Sequence, residues 1–209
     1  CERPEGKLFH EDGRRYFRCC DCGLVFVDPE YFLDGDRERA VYDQHQNSPG
    51  DAGYRRFLSR LYEPVASRLA PGSRGFDFGS GPGPTLSVMF EEAGHHVSLF
   101  DPFYANDPTV FDQQYQFITA SEVFEHLCHP RMELDRLWRC LEPGGGLGVM
   151  TKRVRDQDAF SRWHYKNDPT HVCFFSLETF EWLEEHWAAR LEVVADDVVV
   201  FEKNGSGLS

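Results

Sequence analysis

The sequence predicts an α/β fold built on a mostly parallel sheet, and three stretches carry that reading. The first is Phe76-Asp77-Phe78-Gly79-Ser80-Gly81-Pro82-Gly83-Pro84. It reads as the end of a buried strand, a turn made of glycines, and a helix whose Leu86, Met89, Phe90 and Ala93 recur at i, i+3, i+4 and i+7. The second is His96-Val97-Ser98-Leu99-Phe100, an apolar strand that ends at Asp101. That acid falls within about 20 residues of the loop, where a carboxylate can accept hydrogen bonds from a ribose diol. The third is a pair of β-branched runs, Leu191 to Val194 and Val198 to Phe201, with Asp196-Asp197 between them as a hairpin turn.

Composition bounds the function. A chain of 209 residues can hold one α/β domain and a small appendage. No apolar run reaches about 18 residues and the N-terminus has no signal-peptide pattern, so a soluble cytoplasmic protein without membrane contact is expected. The formal net charge of −13 repels phosphate backbones and argues against a nucleic-acid partner, except through a local basic patch. Of the seven cysteines, Cys1, Cys19, Cys20 and Cys22 cluster near the start, while Cys128, Cys140 and Cys173 are scattered. An odd count with a C-x-x-C pair points to metal ligation and reduced core thiols, not to a disulfide framework.

In chain order, residues 1–33 are expected to form a separate unit. Cys19-x-x-Cys22-Gly23 has the spacing of a zinc knuckle, in which a tight turn lets two thiolates face one ion. Cys1, Cys19 and Cys22 are the candidate zinc ligands, with Cys20 or His10 as substitutes; because the chain opens on Cys1 and not on methionine, a further ligand is expected upstream. The competing reading is a hairpin with free thiols. Residues 34–50 are polar and broken by Ser48-Pro49-Gly50, a linker or cap from which Tyr42 and His45 look into the site. Phe57, Leu58, Leu61, Val65 and Leu69 then predict a helix, ended by Pro71-Gly72. The glycine loop and Asp101 follow. Only about 16 residues separate Asp101 from the next strand, Gln116 to Ala120, too few for a full helix-and-strand crossover.

Ser121-Glu122-Val123-Phe124-Glu125-His126-Leu127 is the second informative motif. In a helical turn Glu122, Glu125 and His126 fall at i, i+3 and i+4 and converge on one point above the strand ends. Two carboxylates and an imidazole, with His171 as a fourth ligand, suit a divalent cation such as Mg²⁺, Mn²⁺ or Zn²⁺. The alternative is a metal-free site in which the Glu pairs locally and a histidine lines the pocket. Leu134, Leu137, Trp138 and Leu141 predict a helix over 131–142, ended by Pro143-Gly144-Gly145-Gly146 before a strand from Leu147 to Thr151. The aromatic and polar stretch from Trp163 to Phe175 should overhang the site, with His171 and His164 as base or ligand and Trp163 and Tyr165 as walls. Ser176 caps a last helix carrying Phe180, Leu183 and Trp187, and residues 204–209 read as a frayed tail.

On these motifs the chain resembles the class I S-adenosylmethionine (SAM)-dependent methyltransferases. Their first strand ends in an acid-x-Gly-x-Gly-x-Gly pattern matched by Asp77, Gly79, Gly81 and Gly83, and their second in an acid matched by Asp101. Leu141-Glu142-Pro143-Gly144-Gly145 matches a structural turn of the same family. A nicotinamide dehydrogenase needs Gly-x-Gly-x-x-Gly spacing, which this loop lacks. The resemblance covers residues 51–203 and implies a Rossmann-like, seven-stranded sheet with an antiparallel closing hairpin. It implies SAM as cofactor, held by Asp77, Gly79, Ser80, Gly81, Gly83, Asp101, Pro102, Ser121 and Glu122. The acid that usually meets the adenine amine in this family is missing from the shortened region after Asp101.

Glu-x-x-Glu-His with a later His also resembles the metal-assisted branch, which includes small-RNA 2′-O-methyltransferases and ubiquinone-pathway O-methyltransferases. Residues 1–33 resemble the zinc-ribbon head that precedes some bacterial methyltransferase domains. The expected function is methyl transfer to a small-molecule hydroxyl, with His126, His171 and Glu125 as catalytic residues. The alternatives are a non-catalytic SAM-binding or zinc-ribbon interaction module, and an RNA 2′-O-methyltransferase, which sits badly with the acidic charge.

Overall fold

A computed structural model describes residues 6–44 and 48–205. Cys1 and His45 lie outside the described residues. The central sheet comprises β4 (Arg74–Phe78), β5 (His96–Phe100), β6 (Tyr115–Ser121), β7 (Leu141–Met150), β9 (Arg190–Ala195) and β10 (Val198–Glu202) in the order β5-β4-β6-β7-β10-β9. The first four run parallel, and β10 joins β7 and β9 antiparallel. This is the Rossmann-like arrangement with its closing hairpin, but the sheet has six strands among the described residues where seven were expected. The reason is the short connection after β5. It makes a bridge between Asp101 and Ala105 and a single 3₁₀ turn, Pro108–Asp112, before β6 starts beside β4.

Side-chain alternation divides the apolar residues between the two faces of this sheet. Phe117 of β6, with Val198 and Val200 of β10, packs against α2 (Ala52–Ala66) and α3 (Thr85–Glu92) through Leu58, Leu61, Leu86 and Phe90. The intervening Ile118, Val199 and Phe201 pack on the opposite face against α4 (Pro130–Arg139) and α6 (Leu177–Trp187) through Leu134, Leu137, Phe180 and Leu183. Each large side chain so buried contributes about 1.5–3 kcal/mol. Ser176 caps α6 in a reciprocal capping box with Thr179. The helix over 131–142 is shorter than its pattern predicts. Leu141 already pairs with Tyr115, and Phe117 pairs with Gly146, so Glu142 to Gly145 form an irregularity within β7.

The N-terminal segment is not a free-standing unit. β1 (Gly6–Asp12), β2 (Arg14–Cys19) and β3 (Val25–Val27) form an antiparallel sheet whose fourth strand is β8 (Cys173–Phe174). Tyr16, Val25 and Val27 share a core with Phe160 of α5 (Gln157–Ser161) and with Tyr165, Val172 and Phe174. The polar segment 34–50 contains the helix α1 (Gly35–Tyr42), whose Asp34 caps the N–H of Arg37. At the C-terminus Asn204 donates to the carbonyl of Ala188, so the chain is tied down at the start of the expected tail. No helix among the described residues is long and apolar enough to cross a membrane.

Candidate active site

A cavity of about 630 Å³ opens at the carboxyl ends of β4, β5 and β6, the rim on which a parallel sheet gathers its functional loops. The turn after β4 forms one wall, through Gly79, Ser80, Gly81 and Gly83. Gly79 and Gly81 have φ of 76° and 61°, a region that disfavours a Cβ. Their spatial needs differ. A Cβ on Gly79 would stand 2.4 Å from a methyl of Val123, so this glycine admits Val123, whereas Gly81 faces open space.

Asp101 lines the cavity, but its carboxylate is already engaged. Oδ2 accepts from the N–H of Gly81 at 2.9 Å, and Oδ1 accepts from Phe103 at 2.9 Å and Tyr104 at 3.1 Å. The acid braces the glycine loop and the following turn in addition to facing the pocket with Pro102. Asp77 departs further from expectation. It lies behind the lining, 4 % exposed, with Oδ1 accepting from the Thr119 hydroxyl at 2.9 Å. Burial pushes its carboxyl up to about 7.

Three buried polar atoms of the lining find no partner among the described residues: Ser80 Oγ, Ser121 Oγ and Glu122 Oε1. Such atoms are costly unless a ligand satisfies them. Glu122 has φ of 53°, a left-handed conformation rare for a residue with a side chain. Burial, and next the neighbouring Glu125, push its carboxyl up to about 8.

That backbone conformation explains which of the expected ligands meet. The 3₁₀ turn spans Phe124–His126, and Glu122 precedes it, so the helical spacing that would align Glu122 with Glu125 and His126 is not realised. Glu125, His126 and His171 do converge, with one ligand atom from each within 4.8 Å of the others. Glu125 is fully buried; Tyr165 donates to its Oε1 and Thr151 to its Oε2 at 2.8 Å. Burial raises its pKa, opposed by the nearby His171.

Both imidazoles are set by backbone carbonyls. His171 Nδ1–H donates to the Tyr165 carbonyl at 2.7 Å, and His126 Nδ1–H donates to that of Thr170 at 3.2 Å. Each tautomer therefore carries its lone pair on Nε2. Burial, and then His126, hold His171 below its ordinary pKa, so it is neutral at neutral pH.

Tyr42 stands edge-on to the His126 ring at 5.2 Å between centroids and donates to Glu38 at 2.7 Å, so α1 roofs the site. Tyr54 and Phe57 of α2 and Asp168 complete the lining. Asp168 Oδ2 lies 3.9 Å from His171 Nε2. Sequence reading missed Asp168, although Asp168-Pro169-Thr170 is a turn signal that sets an acid three residues before His171. The expected walls also changed. Tyr165 lies beneath the site as a donor to Glu125, Trp163 packs against Phe160 and Tyr165, and His164 is exposed outside the lining.

At the far end of the hairpin Cys19 and Cys22 are buried free thiols, and Cys20 is exposed. Burial pushes the Cys22 thiol up to about 11, with Cys19 adding to the effect. His10 cannot join them. Gly6 is the residue opposite Cys19 and His10 pairs with Tyr16, about three residues or 10 Å further along the ladder.

A family described as a methyltransferase domain matches residues 51–193. No curated protein sequence matches significantly. Among solved structures, the chain is similar to an S-adenosyl-L-methionine-dependent methyltransferase assignment from Methanococcus maripaludis, at TM-score 0.54 and 13 % identity over 84 % of this chain and 96 % of the other. It is also similar to the Burkholderia thailandensis 1,6-didemethyltoxoflavin-N1-methyltransferase solved with bound 1,6-didemethyltoxoflavin and S-adenosylhomocysteine. That match has TM-score 0.54 and 12 % identity over 93 % and 97 % of the two chains.

Proposed function

Because the chain belongs to the methyltransferase-domain family, as a class I SAM-dependent enzyme, we propose that it methylates a hydroxyl of a small-molecule acceptor held beside Glu125, His126 and His171. The observation that carries this reading is the convergence of those three side chains within 4.8 Å in the cavity that the glycine loop also lines. The volume, about 630 Å³, lies in the range of small-molecule sites.

When bound, SAM supplies a methyl group already activated by its sulfonium charge. The chain's residues then bind, orient and deprotonate. Gly81 leaves room for close approach, Asp101 faces the ribose, and the unpartnered Ser80 Oγ, Ser121 Oγ and Glu122 Oε1 suit the cofactor's polar groups. Glu122 is the acid for the cofactor's ammonium, and it leaves the ligand set in which the sequence grouped it with Glu125. Tyr42, Tyr54 and Phe57 exclude water from above.

Two imidazoles and one carboxylate with a cavity beside them form an open donor set for a divalent ion, which would lower the pKa of the acceptor hydroxyl. The carbonyls that hold Nδ1 of His126 and His171 supply the outer contacts such ligands use. A second, metal-free reading has its own support in the neutral, tautomer-fixed His171, whose Nε2 can take the hydroxyl proton while Glu125 stabilises the imidazolium.

The test is transfer of labelled methyl from SAM to a panel of phenols, catechols and hydroxy acids, before and after EDTA and after return of Mn²⁺, Mg²⁺ or Zn²⁺. Activity lost with EDTA and restored by an ion supports the ion-assisted reading, and activity indifferent to EDTA supports His171 as base. Transfer confined to an RNA oligonucleotide added to the same panel overturns the small-molecule assignment.

A further inference from the structure

The second strand of the N-terminal hairpin and the loop that carries His171 are held together chiefly by one side chain. Arg14, the first residue of β2, directs its guanidinium at the main chain of residues 166–171. Nη1 donates to the carbonyl of His171 at 3.1 Å and, at 3.5 Å, to that of Pro169. Nη2 donates to the carbonyl of Asp168 at 3.0 Å and to that of Lys166. Its Nε donates to the Tyr16 hydroxyl at 3.1 Å, which in turn donates to the Lys166 carbonyl at 3.1 Å.

Neighbouring contacts hold the same loop. Lys166, nearly buried, donates from Nζ to Asp12, and Val27 N–H donates to the Val172 carbonyl at 2.9 Å. The loop thus turns a series of carbonyls toward a cation delivered from β2. Left unpaired there, those oxygens would be an uncompensated polar cluster against the core of Tyr16, Phe160 and Phe174. A planar guanidinium with five donors in a fixed fork can serve several carbonyls at once, which a lysine ammonium cannot reproduce.

We propose that Arg14 is a positioning residue for His171, and that the N-terminal hairpin serves the methyl-acceptor site by fixing that loop. The geometry links them in two ways. Arg14 binds the carbonyl of His171 itself, which fixes the backbone from which the imidazole projects. It also binds the carbonyl of Lys166, next in the chain to the Tyr165 carbonyl that accepts from His171 Nδ1. Without the fork the loop can rotate its peptide planes toward water, and the carbonyl that selects the His171 tautomer moves with them. Tyr165, whose hydroxyl holds Glu125, lies on the same loop, so both ends of the Glu125–His171 arrangement depend on it.

The functional consequence rests on the reading of His171 as an acceptor-site residue, but the test does not. It compares Arg14→Lys and Arg14→Ala with Arg15→Ala, the next residue on β2, whose side chain pairs with Asp28 and Glu30 away from the loop. Long-range nitrogen–proton NMR reports the His171 tautomer, and amide exchange reports His171 and Val172. Both need neither acceptor nor ion. Both Arg14 variants are expected to show His171 averaging between tautomers and amide exchange at least tenfold faster at His171 and Val172, with Arg15→Ala like the parent. Should Arg14→Ala not fold, Arg14→Lys decides. A single Nδ1–H tautomer with unchanged exchange in Arg14→Lys overturns the proposal, as does an equal effect of Arg15→Ala. Failure of His171→Ala to alter methyl transfer would count against the proposed function and leave the Arg14 contact standing.

Discussion

The N–H of Gly81 donates to Oδ2 of Asp101 at 2.9 Å, so the acid that ends β5 and the glycine loop that follows β4 are one unit before any ligand is present. Asp101 also accepts from Phe103 and Tyr104, which fold the short connection back toward α1, where Tyr104 donates to Asp43 at 2.6 Å. One carboxylate therefore braces both the loop and the connection, and in the proposed function it also meets the ribose.

Asp101→Ala is expected to show both. Loss of the acceptor for three amides should cost about 2–4 kcal/mol of stability. Loss of the ribose contact should weaken SAM tenfold or more. Thermal melts and calorimetric titration with SAM measure the two separately. An unchanged affinity in a folded variant would remove Asp101 from the cofactor site.

SAM affinity should depend on pH through Glu122. Burial and then Glu125 push this carboxyl up to about 8, so at pH 7 it is mostly protonated, while an ion pair with the cofactor's ammonium needs the carboxylate. Binding at pH 7 should therefore release a proton. Affinity should rise by up to about 25-fold from pH 6 to 8 and turn over as the ligand's own amino group titrates near 8. Calorimetry in buffers of different ionisation enthalpy reads the proton directly, and Glu122→Gln should abolish both the release and the slope. A slope that survives Glu122→Gln assigns the titration elsewhere.

Asp77 makes an opposite demand on the fold. Its pKa is raised from 3.8 to about 7, chiefly by burial. A group raised in this direction favours the folded state fully only below its unfolded pKa, and that contribution is lost as pH rises through about 7. The loss has an upper bound of roughly 4 kcal/mol at ~1.4 kcal/mol per pH unit. Asp77→Asn keeps an oxygen for the Thr119 hydroxyl but carries no charge. Its melting temperature should match the parent near pH 4 and exceed it by several degrees at pH 8. Parallel curves for the two proteins would show that Asp77 does not titrate in this range.

The N-terminal thiols should differ in reactivity. Cys20 is exposed, whereas Cys19 and Cys22 are buried and Cys22 is pushed up to about 11. Alkylation by iodoacetamide at pH 8 should modify Cys20 well before Cys22, since the thiolate is the reactive form. Peptide mapping with time gives the order. Added Zn²⁺, tried also on a chain extended upstream of Cys1, should slow Cys19 and Cys22 together if the pair ligates it; zinc that protects neither leaves a hairpin with reduced thiols.

What the sequence determined by itself are the features with short-range physical causes. The apolar runs Gln116 to Ala120 and Val198 to Phe201 mark strands, the glycines after Phe78 mark a tight turn, and Ser176 marks a helix start. The count of residues after Asp101 foretold the shortened connection, though not that the sheet would have six strands among the described residues. His126, His171 and Glu125 were legible as one cluster because loops at the carboxyl ends of parallel strands share a rim.

Tertiary structure alone decided the rest. A left-handed backbone at Glu122 keeps it out of the cluster of Glu125, His126 and His171 although its carboxylate stays beside Glu125, which no spacing rule anticipates. Asp77 withdraws behind the cavity lining, Val123 claims the space above Gly79, and Tyr165 passes beneath the site to reach Glu125. The pairing of β3 with β8 was equally hidden, because it joins residues about 150 apart through backbone hydrogen bonds that any side chain permits. Local sequence sets which backbone states each segment can adopt; contacts between distant segments select among them, and the Glu125, His126 and His171 cluster and the Arg14 contacts to the loop of His171 are of that kind.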